Sequence, residues 1–248
     1  MANGDAMDKR VSTSALPGAL EAIRKRVRFI GGGTCAGKTT LARSLATAYS
    51  IPLFSVDDRL WDYSALAERA GSTVANNVTE TDFERFWMRN PEQQFKEMWQ
   101  FYHDVFPFVL ADLADMVLAD SADEPIESGG RANPSGLDAF GSDLFSEIGW
   151  IDSSGLRGET PVLIAEGIAF LPSLLHGIGI PPEHCVFLTA ETGVHTERYA
   201  KRDWAHLMLE GCNDKVRAFD LWMQRDELFA AAVRAECAEL GYSHVFVQ

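Results

Sequence analysis

Between Arg26 and Ala42 the chain reads RVRFIGGGTCAGKTTLA, and this stretch limits the fold more than any other. Val27, Phe29 and Ile30 make a short apolar run of β-formers, Gly31, Gly32 and Gly33 break it, and Thr39 to Ala42 resumes with helical character. From Gly32 to Thr39 the residues GGTCAGKT fit the spacing G-x-x-x-x-G-K-[ST]. A strand that delivers the backbone to a glycine-rich turn lets main-chain N–H groups point inward, and the helix that follows adds the positive end of its dipole. The expected ligand is therefore a polyphosphate. Gly32, Gly33, Thr34, Cys35, Ala36, Gly37, Lys38, Thr39 and Thr40 would line it. Lys38 would reach the β- and γ-phosphates, and the Thr39 hydroxyl would bind Mg²⁺. A glycine-rich turn with a chance lysine is the plainer alternative. The strand before it and the helix after it argue for the phosphate loop.

At 248 residues, one α/β domain with an insertion is the simplest account, with two small domains as the alternative. Hydrophobic residues make up 46% and charged residues 23%, which suits a folded chain with a sizeable core. The formal net charge of −14 argues against nucleic acid or an anionic membrane surface as partner, because both need a basic face. It leaves phosphate ligands open, since a loop of N–H groups and one lysine act locally. Cys35, Cys185, Cys212 and Cys237 are far apart and form no CxxC pair, so a reduced cytoplasmic protein without a zinc site is expected. Cys35, inside the loop, is either oxidisable or simply a small residue filling a small gap. No apolar run approaches a membrane span, and the first residues lack the apolar core of a signal peptide. Residues 1–14 read as a flexible tail, followed by a helix from Ala15 to Arg26.

After the loop, Leu41, Leu45 and Ala48 continue a helix to Tyr49, and Ile51–Val56 reads as a second buried strand. Asp57, Asp58 and Arg59 follow at its carboxyl end, where side chains of such sheets face the ligand crevice. One acid is expected to cap the next helix. The other, with Asp57 favoured, would serve the acceptor or the metal. Residues 60–118 read as a helical insertion: Leu60–Ala70, then a helix capped by Thr81 or Asp82, then one from Pro91 that Pro107 interrupts before Phe108–Leu118 resumes. The stripe Phe95, Trp99, Tyr102 and Phe106 is expected in the core. Arg85, Arg89 and His103 either rim an acceptor pocket or are solvated surface groups. Residues 119–160, rich in Gly, Ser, Pro and acid, read as a polar loop insertion that is mobile or covers the acceptor.

Val162–Ala165 is a continuous apolar strand ending in Glu166, placed to hold magnesium beside the loop. Ile168–Leu175 reads as a short helix or turn bent at Pro172. Cys185–Leu188 is the fourth strand, with Thr189 or Thr192 as cap for a helix carrying His195, Arg198, Lys201 and Arg202. Arg198 and Arg202, four apart, share a helical face. They either close over the phosphates or pair with Glu197 and Asp203. Asn213 or Asp214 starts the last long helix, Gly241 ends it, and His244–Val247 is the final strand. Arg225 and Asp226 lie near a nucleobase or form a structural ion pair.

Strands alternating with helical crossovers imply a five-stranded parallel sheet covered on both faces. The phosphate loop places the chain in resemblance to the P-loop NTPase superfamily. The order of loop, Asp57, Glu166 and basic helix resembles its nucleoside-monophosphate-kinase-like branch, which includes shikimate and gluconate kinases, chloramphenicol phosphotransferase and 2-phosphoglycerate kinase-like proteins. That resemblance implies strand order 2-3-1-4-5, a single kinase-like domain over residues 15–248 and a lid-like segment over 191–212. It also implies transfer of the γ-phosphate of ATP (or GTP), with Mg²⁺, to a hydroxyl of a small-molecule acceptor by a monomer or homodimer. Lys38, Asp57, Arg198 and Arg202 would be catalytic, Asp57, Asp58, Arg59, Arg85 and Arg89 would meet the acceptor, and Thr39 and Glu166 would meet the metal. An antibiotic or secondary-metabolite acceptor is a narrower alternative. A regulatory ATPase module is a different one.

Overall fold

The computed structural model describes residues 16–75, 82–120, 148, 150–152, 155–156 and 161–247. Its order is α1 (Leu16–Arg26), β1 (Val27–Gly32), α2 (Lys38–Tyr49), β2 (Leu53–Ser55), a 3₁₀ turn at Asp57–Arg59, α3 (Leu60–Arg69), α4 (Phe83–Trp87) and α5 (Pro91–Asp120). There follow the paired strands β3 (Ile151–Asp152) and β4 (Gly155–Leu156), then β5 (Leu163–Glu166), α6 (Pro172–Gly177), β6 (Cys185–Ala190), α7 (Thr192–Ala200), α8 (Asp203–Leu207), α9 (Lys215–Leu240) and β7 (Ser243–Val247).

The central sheet runs β2-β5-β1-β6-β7 with every pairing parallel. Counted along the chain without the β3–β4 pair, this is the expected 2-3-1-4-5, and the chain has the P-loop NTPase fold. β1 is buried along its whole length because it lies between β5 and β6. The two faces of the sheet follow the period of two. Phe29, Ala165 and Phe187 point into one cluster with Ile23, Leu113, Phe170 and Val233. Ile30, Ile164, Val186 and Leu188 point into the other, with Leu41 and Leu45 of α2. Of the Phe95, Trp99, Tyr102 and Phe106 stripe, Tyr102 and Phe106 are buried in the first cluster, and Phe95 and Trp99 pack against it partly buried. Ile148 and Trp150, from the polar insertion, are buried in the second. The tail over 1–14, Thr81 as a cap and nearly all of the 119–160 loop lie outside the described residues.

Several local expectations are corrected. α5 runs unbroken through Pro107. A proline inside a helix removes one hydrogen bond and costs about 3 kcal/mol. Val105, Phe106, Val109 and Leu113 are buried in the core on either side, and their packing outweighs that cost. Because the Pro107 ring is exposed, Pro107→Ala restores the N–H without opening a cavity. It is expected to raise stability by about 1–3 kcal/mol in urea denaturation. Pro172 opens α6 and does not bend it, because its fixed φ suits a first helical position. Neither Thr189 nor Thr192 caps α7: Thr189 bonds His244 on β7 at 2.8 Å, and the Thr192 hydroxyl donates to Glu227 at 2.9 Å. Neither Asp57 nor Asp58 caps α3 through its side chain, because both lie in the 3₁₀ turn that precedes it. Asp82 and Asp214 do cap α4 and α9, accepting from the N–H groups of Arg85 and Arg217 at 3.0 Å.

Candidate active site around the phosphate loop

The loop rises from β1 where the sheet is tightest. A Cβ on Gly32 would lie 2.0 Å from the Leu188 carbonyl oxygen, and Gly32 has φ +116°, so only glycine fits there. The Gly33 N–H donates to the same carbonyl at 2.8 Å and fastens the loop's first residues to β6. Left-handed backbone at Cys35 (φ 54°) and Gly37 (φ 90°) then curls the chain into α2. Such curls turn successive N–H groups to one side and form anion cradles. Cys35 holds that conformation without being glycine. Its thiol is buried, and burial pushes it up from its ordinary range, so the gap-filling reading of Cys35 fits.

Lys38 is 8% exposed, and its ammonium donates to the Gly33 carbonyl across the loop at 2.6 Å. Burial lowers its pKa, while the carboxylates of Asp57 and then Glu166 act in the opposite direction. Glu166 is fully buried at the end of β5. Ser55 donates to it at 2.6 Å, and the Thr39 hydroxyl lies 3.2 and 3.3 Å from its two oxygens. Burial raises the Glu166 carboxyl, opposed by Ser55 and then Lys38. A buried carboxylate beside a threonine hydroxyl at the foot of a phosphate loop is a hard oxygen donor set that suits Mg²⁺. Among the described residues no group of three or more His, Cys, Asp or Glu could hold a metal. A Mg²⁺ ion here would therefore draw its other ligands from phosphate and water.

The remaining expected residues divide into those near the loop and those elsewhere. Arg198, on α7, donates to the Cys35 carbonyl at 2.8 Å. Arg202 does not share a helix with it, which corrects the expected common face: α7 ends at Ala200, and Arg202 is the extended residue before α8. The break lets Tyr199, Ala205 and Leu209 all enter a third apolar cluster, which also contains Cys35, Trp87 and Trp222. Arg202 lies exposed over the Tyr199 and Trp204 rings, and Lys201 pairs with Glu197 at 2.5 Å. Asp57 and Asp58 are exposed at the carboxyl end of β2. Arg59 is taken up by an ion pair with Asp112 of α5, and Tyr63 donates to the same carboxylate at 2.5 Å. Arg85 and Arg89 line a separate cleft with Thr73, Val74, Phe86, Gln93 and Glu97, where Arg89 pairs with Glu97 at 2.6 Å. No phosphate-loop residue lines that cleft. His103 bonds the Trp99 carbonyl of its own helix at 2.9 Å.

One grouping at the site joins residues the sequence keeps far apart. The Thr34 hydroxyl, on the loop, donates to Asp226 Oδ2 at 2.7 Å. His195 Nε2 lies 3.2 Å from that hydroxyl and 3.3 Å from the same carboxylate oxygen. Arg225 donates to the other Asp226 oxygen through Nε at 2.7 Å and through its terminal nitrogen at 2.5 Å, so the ion-pair reading of Arg225 and Asp226 holds. The sequence singles out Thr34, His195 and the Arg225–Asp226 pair separately, and nothing local to any of them signals that they meet. Burial would raise the Asp226 carboxyl, but the Arg225 guanidinium, then His195 and Thr34, hold it at about 2.

Among the described residues no helix is long and apolar enough to cross a membrane. The family model of isopentenyl transferases matches residues 25–95, from the end of α1 through the loop, Asp57 and α4 into the start of α5. No curated protein and no solved structure matches the chain.

Proposed function

We propose that this protein is a phosphotransferase: its loop binds MgATP or MgGTP, and the γ-phosphoryl group passes to a hydroxyl of a small molecule. The observation that supports this most directly is the Arg198 bond to the Cys35 carbonyl, which sets a cation from a separate helix against the crest of the loop. Lys38 reaches back to the Gly33 carbonyl of the same loop at 2.6 Å. Arg198 and Lys38 at the loop, with Arg202 near enough to act electrostatically on Cys35 and Lys38, suit a terminal phosphoryl group, whose transfer depends on positioning and charge neutralisation more than on covalent help from the protein. Magnesium, when bound, would neutralise charge on the β- and γ-oxygens from the Thr39 and Glu166 side.

Asp57 acts as the base. It stands exposed at the carboxyl end of β2, close enough to Lys38 to act on it electrostatically. The acceptor O–H gives its proton to the Asp57 carboxylate, the oxygen forms a bond to the γ-phosphorus, and the bond from that phosphorus to the β-bridging oxygen breaks. Its electron pair leaves with the nucleoside diphosphate. Asp57→Asn is expected to lower transfer by about 10²–10⁴-fold while leaving nucleotide affinity within about twofold. Single-turnover transfer from γ-labelled ATP over a panel of small alcohols, antibiotic and secondary-metabolite alcohols included, measures this. Unchanged transfer in the variant would remove Asp57 from its role.

The match to isopentenyl transferases over residues 25–95 supports a second reading. In it the same loop holds the diphosphate of an isopentenyl donor, and Asp57 deprotonates the nucleophile that displaces it. Incubation with labelled isopentenyl diphosphates and nucleotides separates the two readings: prenylated product with no phosphorylated alcohol selects the second. Hydrolysis of ATP with transfer to neither acceptor class would point to a regulatory ATPase.

A further inference from the structure

Asp226 and His195 hold no role in the transfer proposed above, yet both bond Thr34 of the phosphate loop. Asp226 is 2% exposed and belongs to α9, His195 is buried on α7, and Thr34 stands one residue before Cys35 at the loop crest. The hydrogen bonds can be assigned by counting protons. Ionised Asp226 can only accept, and the single Thr34 hydroxyl proton is committed to it at 2.7 Å. His195 Nε2 faces that carboxylate oxygen and the Thr34 oxygen together, so Nε2 must carry the proton and donate. Arg225 occupies the second carboxylate oxygen, and its guanidinium lies over the Trp87 and Trp222 rings at 5.0 and 5.9 Å from their centroids. Those indoles stack on each other at 4.3 Å. The carboxylate is thus fixed from the far side by α4 and α9, and every remaining bond it makes reaches the loop or α7.

His195 and Arg198 are three apart on α7 and therefore share a face. One reaches Thr34 and the other the Cys35 carbonyl, so consecutive loop residues are held by one helix face. We infer that Asp226 is a positioning residue: by bonding Thr34 and His195 at once it locks the loop crest and α7 into one body, and thereby sets Arg198 against the bound phosphate. This rests on the phosphate-binding reading of the loop, though not on which group is transferred.

The test uses the loop end of the latch, because Thr34→Val removes one hydroxyl and leaves the buried Asp226–Arg225 pair in place. MgATP affinity, followed by the fluorescence of the tryptophans around Cys35, and turnover are measured for wild type, Thr34→Val, Arg198→Ala and the double variant. Thr34→Val is expected to weaken affinity or turnover by about tenfold in the wild-type background and by less than about twofold in the Arg198→Ala background, since the latch acts through Arg198. Thr34→Ser, which keeps the hydroxyl, should return wild-type values. Equal losses in both backgrounds, or no loss in either, overturn the inference, and so does failure of Thr34→Ser to rescue. If Thr34→Val does not fold, the same cycle with His195→Gln and Arg198→Ala decides it on the same outcomes. Absence of MgATP binding by the wild-type protein would instead defeat the phosphate-binding reading itself.

Discussion

Lys38→Ala is expected to lower transfer by about 10²–10³-fold, the loss typical of removing one preorganised donor aimed at developing charge. Two features put the effect at this level. The ammonium is almost fully enclosed, so its field on a bound phosphate is little screened by water. It spans the curl to the Gly33 carbonyl at 2.6 Å, so it is held against the loop backbone. Affinity for MgATP should fall by at least about tenfold in calorimetry. Stability should change far less. Alanine leaves the Gly33 carbonyl without its partner, at about 1 kcal/mol, but also removes the desolvation of a buried cation. A variant that melts like the wild type and binds nothing would be the clean result. One that binds MgATP as tightly as the wild type would refute the role of the loop.

Asp226→Asn should produce the largest loss of stability of any single exchange at the site. The change leaves the buried Arg225 guanidinium without its counter-charge, and breaking a buried pair in this way costs about 3–5 kcal/mol. For a chain of this size that lowers Tm by on the order of 10 °C in calorimetry. The pH dependence follows from the same contacts. The carboxyl is held at about 2 in the folded chain against an ordinary value of 3.8. A depressed acid binds more protons unfolded than folded, so its stabilisation is complete above the unfolded value, near pH 4, and is lost as pH falls through about 2. The wild type should therefore lose stability across that interval by more than Asp226→Asn does. Parallel acid-denaturation curves for the two proteins would show that the pair is not the source.

The readings that succeeded from sequence rest on local rules. GGTCAGKT between a β-forming run and a helix-forming run is a local pattern, so the loop and its strand and helix were visible in it. The strand order came from the superfamily resemblance that this motif opened. The readings that failed were set by contacts distant in sequence. Pro107 should break a helix by local rules, but core packing on both sides of it holds α5 together. Arg198 and Arg202 are one helical turn apart in the chain, yet burial of Tyr199, Ala205 and Leu209 in one cluster ends the helix between them. Arg59 looked available to an acceptor, and Asp112, on another helix, takes it.

The sequence by itself determined where the chain curls into a glycine-rich loop between a strand and a helix, because backbone curvature, glycine tolerance and a helix start depend on neighbours along the chain. Only the tertiary structure decided what stands around that loop: Ser55 and Thr39 on Glu166, Arg198 on Cys35, and Asp226 on Thr34 across a separation of 192 residues. Those are contacts between charged and polar groups that burial forces into pairs. No local pattern announces which distant partner will satisfy each one.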